Sequence, residues 1–184
     1  MTRYTYDCEF NEDGKTIDLI SIGMVCLDDD RTFYAVSNEF DTRRVQKSRW
    51  LMDHVMSSID HEDYLDACPI TGQPRKNFKV TDAAAMSRRE IADGIVAFLG
   101  DYAELWAWYS AYDHVALAQL YGKMIDLPKR VPMMTNDIKT LVKLAGNPVM
   151  PKQPAGLHNA LSDARMNKVR MQYLDLLSKR DLTG

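Results

Sequence analysis

Five side chains in three short segments could together bind divalent cations and activate a water molecule. They are Asp7, Glu9, Asp113, His158 and Asp163. Asp7 and Glu9 lie two residues apart in the segment YDCEF, so on a β-strand they point to the same side. Mg²⁺ and Mn²⁺ prefer carboxylate oxygens, but one strand cannot surround an ion. Taken alone, the pair is better explained as the solvated face of an amphipathic strand, so a metal site needs ligands from elsewhere.

The next candidate, Asp113, follows shortly after the apolar segment ELWAWYS, which ends at Ser110. A segment that is apolar without alternation is typical of a parallel strand covered on both faces. In open α/β sheets, ligands bind beyond the carboxyl ends of such strands, where Asp113 would lie. The alternative is an acid in the first turn of a helix, where the helix dipole favours a negative charge.

His158 and Asp163 belong to the segment LHNALSDA near the start of the last predicted helix. Five residues apart in one helix, they would be rotated by about 140° from each other, so they are not a pair on one face. If His158 lies in the loop just before the helix, however, both could reach one cleft from different directions. The alternatives are a solvated helix residue for Asp163 and a capping or surface residue for His158.

The surrounding pattern predicts an α/β fold. From Thr2 to Phe40, three β-rich segments form an antiparallel meander, with a hairpin turn at Asp13-Gly14. An amphipathic helix capped by Ser87 is predicted for SRREIADGIVAFLGDY. Three further helices are predicted for DHVALAQLYG, NDIKTLVKLAG and LHNALSDARMNKVRMQYLDLLSK. ELWAWYS supplies a parallel strand. We therefore expect a mixed sheet with helices packed on it.

Residues 41–84 are less regular. VQKSRWLMDHVMSSI has the apolar spacing of a helix, and DACPITGQPRKNFKV is predicted to be a loop. His54, His61 and Cys68 follow one another at intervals of seven residues. A structural zinc site would need a fourth ligand and a shorter reach, so chance spacing is the favoured interpretation.

Composition limits the possible classes of protein. The 184 residues are 46% apolar and 27% charged with a net charge of −3, which fits one soluble domain, residues 1–184, with an insertion at about 41–84. The small net charge gives no sign of a protein that coats nucleic acid. Three unpaired cysteines argue against a disulfide scaffold, and neither a leader nor a membrane span is predicted, so we expect a cytoplasmic protein with no membrane partner.

The order of the acidic segments resembles the DEDDh subgroup of 3′–5′ exonucleases in the ribonuclease H-like superfamily. Four stretches are similar to the mycobacterial family of polyadenylate-specific 3′-exoribonuclease AS: YDCEFNEDGKTIDLISIGMV, FYAVSNEF, WAWYSAYDHVALAQLYG and HNALSDAR. Together they extend from Tyr4 to about Arg170, whereas residues 41–84 do not obviously match.

The resemblance implies a role for each of the five residues. Asp7, Glu9, Asp113 and Asp163 match the carboxylates that hold two Mg²⁺ ions, for which Mn²⁺ is a possible substitute, and His158 matches the general base. The reaction implied is hydrolysis of single-stranded RNA or RNA 3′ overhangs from the 3′ end, releasing nucleoside 5′-monophosphates. Two adjacent ions can stabilise both the attacking and the leaving oxygen of an in-line displacement, and a histidine exchanges its proton near neutral pH.

Two residues near the expected position of the terminal nucleotide depart from the family pattern. Phe10 follows the first glutamate, and Tyr109 stands where many relatives have asparagine. Both are candidate substrate-binding residues, because an aromatic ring that stacks on a base contributes about 1–3 kcal/mol. The alternative is that Phe10 and Tyr109, with Trp106 and Trp108, belong to the core.

Basic residues cluster in three places and could hold phosphates: Arg43, Arg44, Lys47 and Arg49; Arg75, Lys76 and Lys79; Arg88 and Arg89. The loop from Asp66 to Lys79 is the best candidate for an insertion that guides the strand. The alternative is ordinary solubilising charge.

Two other functions remain open from the sequence. A DNA exonuclease would use the same chemistry, and a catalytically silent nucleotide-binding protein could share the fold. The resemblance also implies a homodimer, to which the apolar Val131, Met133 and Met134 could contribute a surface.

Overall fold

A computed structural model describes residues 1–181 of the chain. Its strands are β1 (Thr2–Glu12), β2 (Ile17–Cys26), β3 (Thr32–Ser37), β4 (His61–Ala67), β5 (Pro74–Val80), β6 (Ala85–Met86), β7 (Ala103–Ala107) and β8 (Asn136–Asp137). Its α-helices are α1 (Thr42–Lys47), α2 (Arg49–His54), α3 (Arg88–Phe98), α4 (Ala111–Gln119), α5 (Ile138–Leu144) and α6 (Ala160–Asp181). Single 3₁₀ turns occur at Met56–Ser58 and Met124–Asp126.

A six-stranded mixed sheet in the order β6-β3-β2-β1-β7-β8 forms the centre of the molecule. β1 pairs antiparallel with β2, and β2 pairs antiparallel with β3. The crossover strand β7 runs parallel to β1, while the short strands β6 and β8 run parallel to β3 and β7. The predicted α/β architecture, a mixed sheet with flanking helices, is confirmed. The Asp13-Gly14 turn also forms as predicted, with Gly14 at a φ of 78°.

The two faces of the sheet are covered by different elements. On one face Tyr4, Tyr6 and Leu105 pack with Ile91 of α3 and Leu117 of α4. The opposite face is covered by α6 and by a second apolar cluster that joins β2 and β3 to the segment 41–84. β1 is therefore buried on both sides, which allows it to hold side chains away from bulk water.

A bulge in β2 lets one strand serve both clusters. The pairing register passes from Glu9–Ser21 to Phe10–Leu19, so Ile20 is the extra residue. Leu19 joins the first cluster, and Ile20 joins the second. The inserted residue thus reverses which side chains of β2 face each side of the sheet, starting at the bulge opposite Glu9 and Phe10.

The segment 41–84 differs from its prediction. The expected single helix breaks at Ser48, which is extended and whose hydroxyl accepts a hydrogen bond from the backbone N–H of Leu51 at the start of α2. The expected loop is a two-stranded hairpin, β4–β5, held by cross-strand pairs such as Lys79–Glu62. The loop prediction is confirmed for the turn at residues 68–73 and is wrong for the strand residues on either side, because β4 is mostly exposed and β5 is rich in polar and basic residues. The third strand also ends at Ser37 rather than at Phe40.

α6 is the longest helix of the described chain, with 22 residues. It packs along β1 and β2 and so brings its first turn onto the centre of the sheet. Within residues 1–181, no helix is both long and apolar enough to cross a membrane.

Candidate metal and catalytic site

The central strand β1 positions Asp7 and Glu9 on the face covered by α6. Thr5, on the same face, donates its hydroxyl hydrogen to the carbonyl oxygen of Ala164 at 2.9 Å. The side chain of Asn167 donates to the carbonyl oxygen of Tyr6 at 3.3 Å. The face is not solvated, because Glu9 is only 8% exposed. The interpretation as a wet strand face is therefore wrong.

The close approach of α6 to β2 depends on Gly23, which lies opposite Asp7 in the strand pair. A Cβ atom added at Gly23 would lie 2.4 Å from the backbone of both Ala160 and Leu161. Only a residue without a side chain lets the helix start rest directly on the strand. This contact places the first turn of α6, with Asp163, over Asp7.

Three carboxylates converge at this point. Asp7, Glu9 and Asp163 each offer one oxygen atom, and these atoms lie within 4.8 Å of one another. Asp7 and Glu9 come from neighbouring positions on one strand face and Asp163 from the helix above it, so the cluster is approached from two directions. Asp163 therefore supplies the further ligand that a metal site formed by Asp7 and Glu9 alone would lack.

The cluster holds its protons more tightly than exposed carboxylates do. Burial raises the pKa of Asp7 well above its ordinary range, and the charges of Asp113 and Glu9 raise it further. Burial, with the charges of Asp163 and Asp113, raises the pKa of Glu9 to about 8. The pKa of Asp163 is raised by burial, although hydrogen bonds, including one from the backbone of His158, oppose the shift. Such shifts are typical of carboxylates gathered in a functional cleft.

Asp113 stands beside this cluster rather than within it. It is 5% exposed in the first turn of α4, and its Oδ1 accepts a hydrogen bond from the backbone N–H of Cys8 at 2.8 Å. Burial raises its pKa to about 7 even though that hydrogen bond lowers it. The charge of Asp113 raises the pKa values of Asp7 and Glu9, so all four acids interact electrostatically. Of the four, only Asp7, Glu9 and Asp163 are close enough to share one ion.

His158 precedes α6, as a shared cleft requires. Its backbone is left-handed, with a φ of 62°, and its N–H donates to Oδ2 of Asp163 at 2.9 Å. The ring lies 4.7 Å from that of Trp50 and 5.7 Å from that of His54, measured between centroids. The structure thus brings the predicted histidine next to the carboxylate cluster.

Arg170 is a charged neighbour that the sequence analysis missed. Its positive charge lowers the pKa values of Asp7 and Asp163. Its guanidinium lies 4.1 Å from the ring centroid of Trp108, and it donates to Oδ1 of Asn167 at 2.9 Å. The buried Nε atom has no hydrogen-bond partner within residues 1–181. The only sequence signal is its position seven residues after Asp163, two helical turns along the same face.

The two candidate substrate-binding residues line a cleft beside the acids. This cleft, of about 400 Å³, is bordered by Asp7 and Asp113 and by four aromatic residues, Phe10, Trp108, Tyr109 and Tyr112. Phe10 stacks on Tyr112 with centroids 5.9 Å apart. Tyr109 is 64% exposed at a φ of 60°, so its interpretation as a core residue is wrong. Phe10 is half-buried and also packs against the first apolar cluster.

Other predicted candidates lie elsewhere. All of the basic residues in the three clusters except Lys47 and Lys76 form ion pairs with acids. Within the described residues, the only group of acids, cysteines or histidines close enough to share an ion is Asp7, Glu9 and Asp163, which excludes His54, His61 and Cys68. Val131 is 3% exposed, so it cannot belong to a surface, whereas Met133 and Met134 are exposed.

The donor set suits a hard divalent cation. It consists of carboxylate oxygens, which Mg²⁺ and Mn²⁺ prefer over the thiolate and imidazole ligands typical of zinc. The raised pKa values of Asp7 and Glu9 are also consistent with a cation site, because a bound cation would replace the protons that these acids retain. The chemistry available here is metal-assisted hydrolysis beside an imidazole and an aromatic cleft.

Comparison with known proteins gives a consistent result. Residues 2–174 match the family model described as 3′-5′ exoribonuclease Rv2179c-like domain. The chain is 42% identical over 167 residues to the 3′-5′ exoribonuclease Rv2179c of Mycobacterium tuberculosis strain H37Rv, covering 89% of this chain and 87% of that protein. The same values hold for the 3′-5′ exoribonuclease MT2234.1 of strain CDC 1551.

Proposed function

The chain belongs to the Rv2179c-like family of 3′-5′ exoribonucleases, and we propose that it removes nucleoside 5′-monophosphates from the 3′ end of single-stranded RNA or RNA 3′ overhangs. It is an enzyme, a phosphodiester hydrolase, as its family membership and its similarity to curated exoribonucleases indicate. The observation that carries the proposed mechanism is the convergence of Asp7, Glu9 and Asp163 within 4.8 Å, together with the hydrogen bond from the backbone N–H of His158 to Asp163.

In this proposal the protein is a DEDDh-type nuclease on a ribonuclease H-like sheet with a three-stranded meander. Residues 1–184 form one catalytic domain, and residues 41–84 are an insertion in it. The four acids Asp7, Glu9, Asp113 and Asp163 hold two divalent cations, Mg²⁺ in the cell. When bound, these ions supply charge stabilisation for the attacking and leaving oxygens at the scissile phosphate.

The residues of the chain perform the remaining steps. His158 accepts a proton from the attacking water as the new phosphorus–oxygen bond forms. As that bond forms, the bond from phosphorus to the 3′ oxygen breaks, and the leaving oxygen takes a proton from solvent to become the 3′ hydroxyl of a shortened RNA, while the 5′-monophosphate is released. Phe10 and Tyr109, which border the cleft next to Asp7, bind the terminal nucleotide by stacking.

The test uses RNA and DNA oligonucleotides of one sequence, labelled at the 5′ end, with Mg²⁺ or with EDTA. We compare the wild-type protein with Asp7→Ala and with Asp28→Ala, which removes an exposed acid in the turn after β2. The expected result is a ladder that shortens from the 3′ end of the RNA, is abolished by EDTA and by Asp7→Ala, and persists in Asp28→Ala.

The other outcomes are equally informative. Equal shortening of DNA would contradict the RNA specificity and leave the chemistry in place. A comparison of oligo(A) with oligo(U) tests the adenine preference that the resemblance to polyadenylate-specific exoribonucleases implies. Absence of shortening with both Mg²⁺ and Mn²⁺ would contradict the proposed activity and favour a silent nucleotide-binding protein.

A further inference from the structure

The imidazole of His158 lies against two rings from a distant part of the chain. Trp50 and His54 are on α2, and the centroid of His158 lies 4.7 Å from the first and 5.7 Å from the second. Trp50 meets His158 edge to face, at an interplanar angle of 76°. Trp50 and His54 also contact each other, at 5.2 Å, so the three rings form one cluster.

The backbone of His158 makes an external support necessary. A left-handed conformation in a residue other than glycine costs about 1–3 kcal/mol and persists only where the surroundings enforce it. The backbone N–H is held by Asp163 at 2.9 Å. That bond fixes the peptide group, whereas the orientation of the imidazole depends on the side chains that pack against it.

Helix α2 is a firm support for this purpose. Its first turn is capped by the Ser48 hydroxyl, and Leu51, the residue after Trp50, is 5% exposed within the second apolar cluster. Trp50 itself is 49% exposed. A tryptophan that served only to fill the core would bury far more of its surface, because burial is the source of its stabilising effect.

We infer that Trp50 is a positioning residue that holds the imidazole of His158 in place for proton transfer. The indole of Trp50 contacts His158 and His54, and in this inference it acts through His158. Interactions of this kind contribute to rate by keeping a catalytic group in its productive orientation. The inference rests on the proposed function for its kinetic consequence, although the ring contact itself can be tested without any reaction.

The kinetic test compares Trp50→Ala, Trp50→Phe and the control Asp53→Ala, which removes an exposed acid from the same helix. We expect Trp50→Ala to lower kcat by about 10- to 100-fold with KM changed less than about threefold, since misplacement of a reacting group costs up to about 100-fold. Trp50→Phe restores an edge-to-face partner and keeps most of the activity. If Trp50→Ala fails to fold, Trp50→Leu replaces it with the same expectation.

A second readout uses the metal-free protein and needs no substrate. The chain has 4 histidines, so the imidazole carbon–proton signals can be assigned by NMR with one substitution each. Trp50→Ala should shift the signals of His158 and His54, which lose the ring current of the indole, and leave those of His61 and His114 unchanged.

Three results would overturn the inference. An unchanged kcat in Trp50→Ala would show that the histidine needs no such support. A raised KM with unchanged kcat would assign Trp50 to RNA stacking instead. Unshifted His158 signals would show that the rings do not meet. Inactive wild-type protein with shifted signals would contradict the proposed function and leave the contact standing.

Discussion

Replacing Gly23 by alanine should lower both the stability of the fold and its affinity for a metal ion. Gly23 lies in β2 opposite Asp7, and a Cβ atom there would come within 2.4 Å of the backbone of Ala160 and Leu161. Those atoms belong to the main chain, so they cannot rotate out of the way. The start of α6 must therefore move away from the sheet or the strand must bend.

The size of the effect follows from this contact. Carbon atoms pack at about 3.5–4.0 Å, so the helix start has to move by at least about 1 Å. Over-packing of this kind costs about 1–3 kcal/mol of folding free energy. The displacement carries Asp163 away from Asp7 and Glu9, and misplacement by about 1 Å can cost about 100-fold in rate.

The assay measures thermal unfolding of wild type and Gly23→Ala with and without Mn²⁺, together with RNA hydrolysis. A ligand present at about 100 times its Kd stabilises the folded state by about 2.7 kcal/mol, and Gly23→Ala should lose most of this gain. Gly100→Ala is the matched control, because its added Cβ would only reach ordinary contact, 3.5 Å from the Tyr4 hydroxyl. A Gly23→Ala protein with wild-type stability and full Mn²⁺ stabilisation would refute the argument.

Three further predictions concern charge and strain. In the metal-free protein, the free energy of unfolding should fall as the pH rises from about 4.5 towards about 8. The reason is that folded Glu9, whose pKa is raised to about 8 from 4.5, keeps a proton that the unfolded chain loses. Calorimetry should show this fall and its reduction by Mg²⁺, and a free energy of unfolding that rises over the range would contradict the prediction. Arg170→Met should destabilise the metal-free protein more at pH 8 than at pH 5, because Asp7 and Asp163, whose pKa values are raised, are ionised to a greater extent at the higher pH. Arg165→Met, at an exposed site on the same helix, should show no such difference in urea unfolding. Tyr109→Gly should keep or raise the melting temperature by relieving a φ of 60° and should still raise KM for RNA severalfold; an unchanged KM would remove this ring from the binding cleft.

The elements that sequence predicts well are those with local signals. The β1–β2 hairpin follows from alternation and the Asp13-Gly14 turn, and the start of α3 follows from the reciprocal hydrogen bonds of Ser87 and Glu90. The parallel strand β7 follows from a segment that is mainly apolar and does not alternate. In each case the information lies within a few residues of the element itself.

The missed elements depend on partners far along the chain. β4 is mainly exposed, and β5 contributes only Phe78 and Val80 to the second apolar cluster, so neither strand shows an extended apolar alternation. The strands β6 and β8 have two residues each, and only their neighbours in the sheet define them. A serine in the middle of a helical pattern gave no reason to divide α1 from α2, although Ser48 does so by capping.

The candidate site shows the same division. The spacing of Asp7 and Glu9 was enough to place both on one face of a strand, and the order of motifs was enough to add Asp163 and His158. The sequence could not show that a glycine in β2 sets the distance between strand and helix, since that contact joins residues more than 130 positions apart. Nor could it show that Asp113 hydrogen-bonds to the backbone of Cys8 instead of joining the closest three carboxylates.

The burial of this acidic cluster has an energetic cost that the fold meets in three ways. Raised pKa values let the acids keep protons, the Cys8 N–H stabilises the carboxylate of Asp113, and Arg170 places one positive charge near Asp7 and Asp163. A divalent cation that binds here must displace protons, so its affinity should rise with pH as the acids ionise. The same burial that opposes ionisation also keeps water from competing for the carboxylate oxygens, which strengthens their attraction for the cation. Placing these acids on the central strand therefore lowers the stability of the metal-free protein and raises its affinity for a cation.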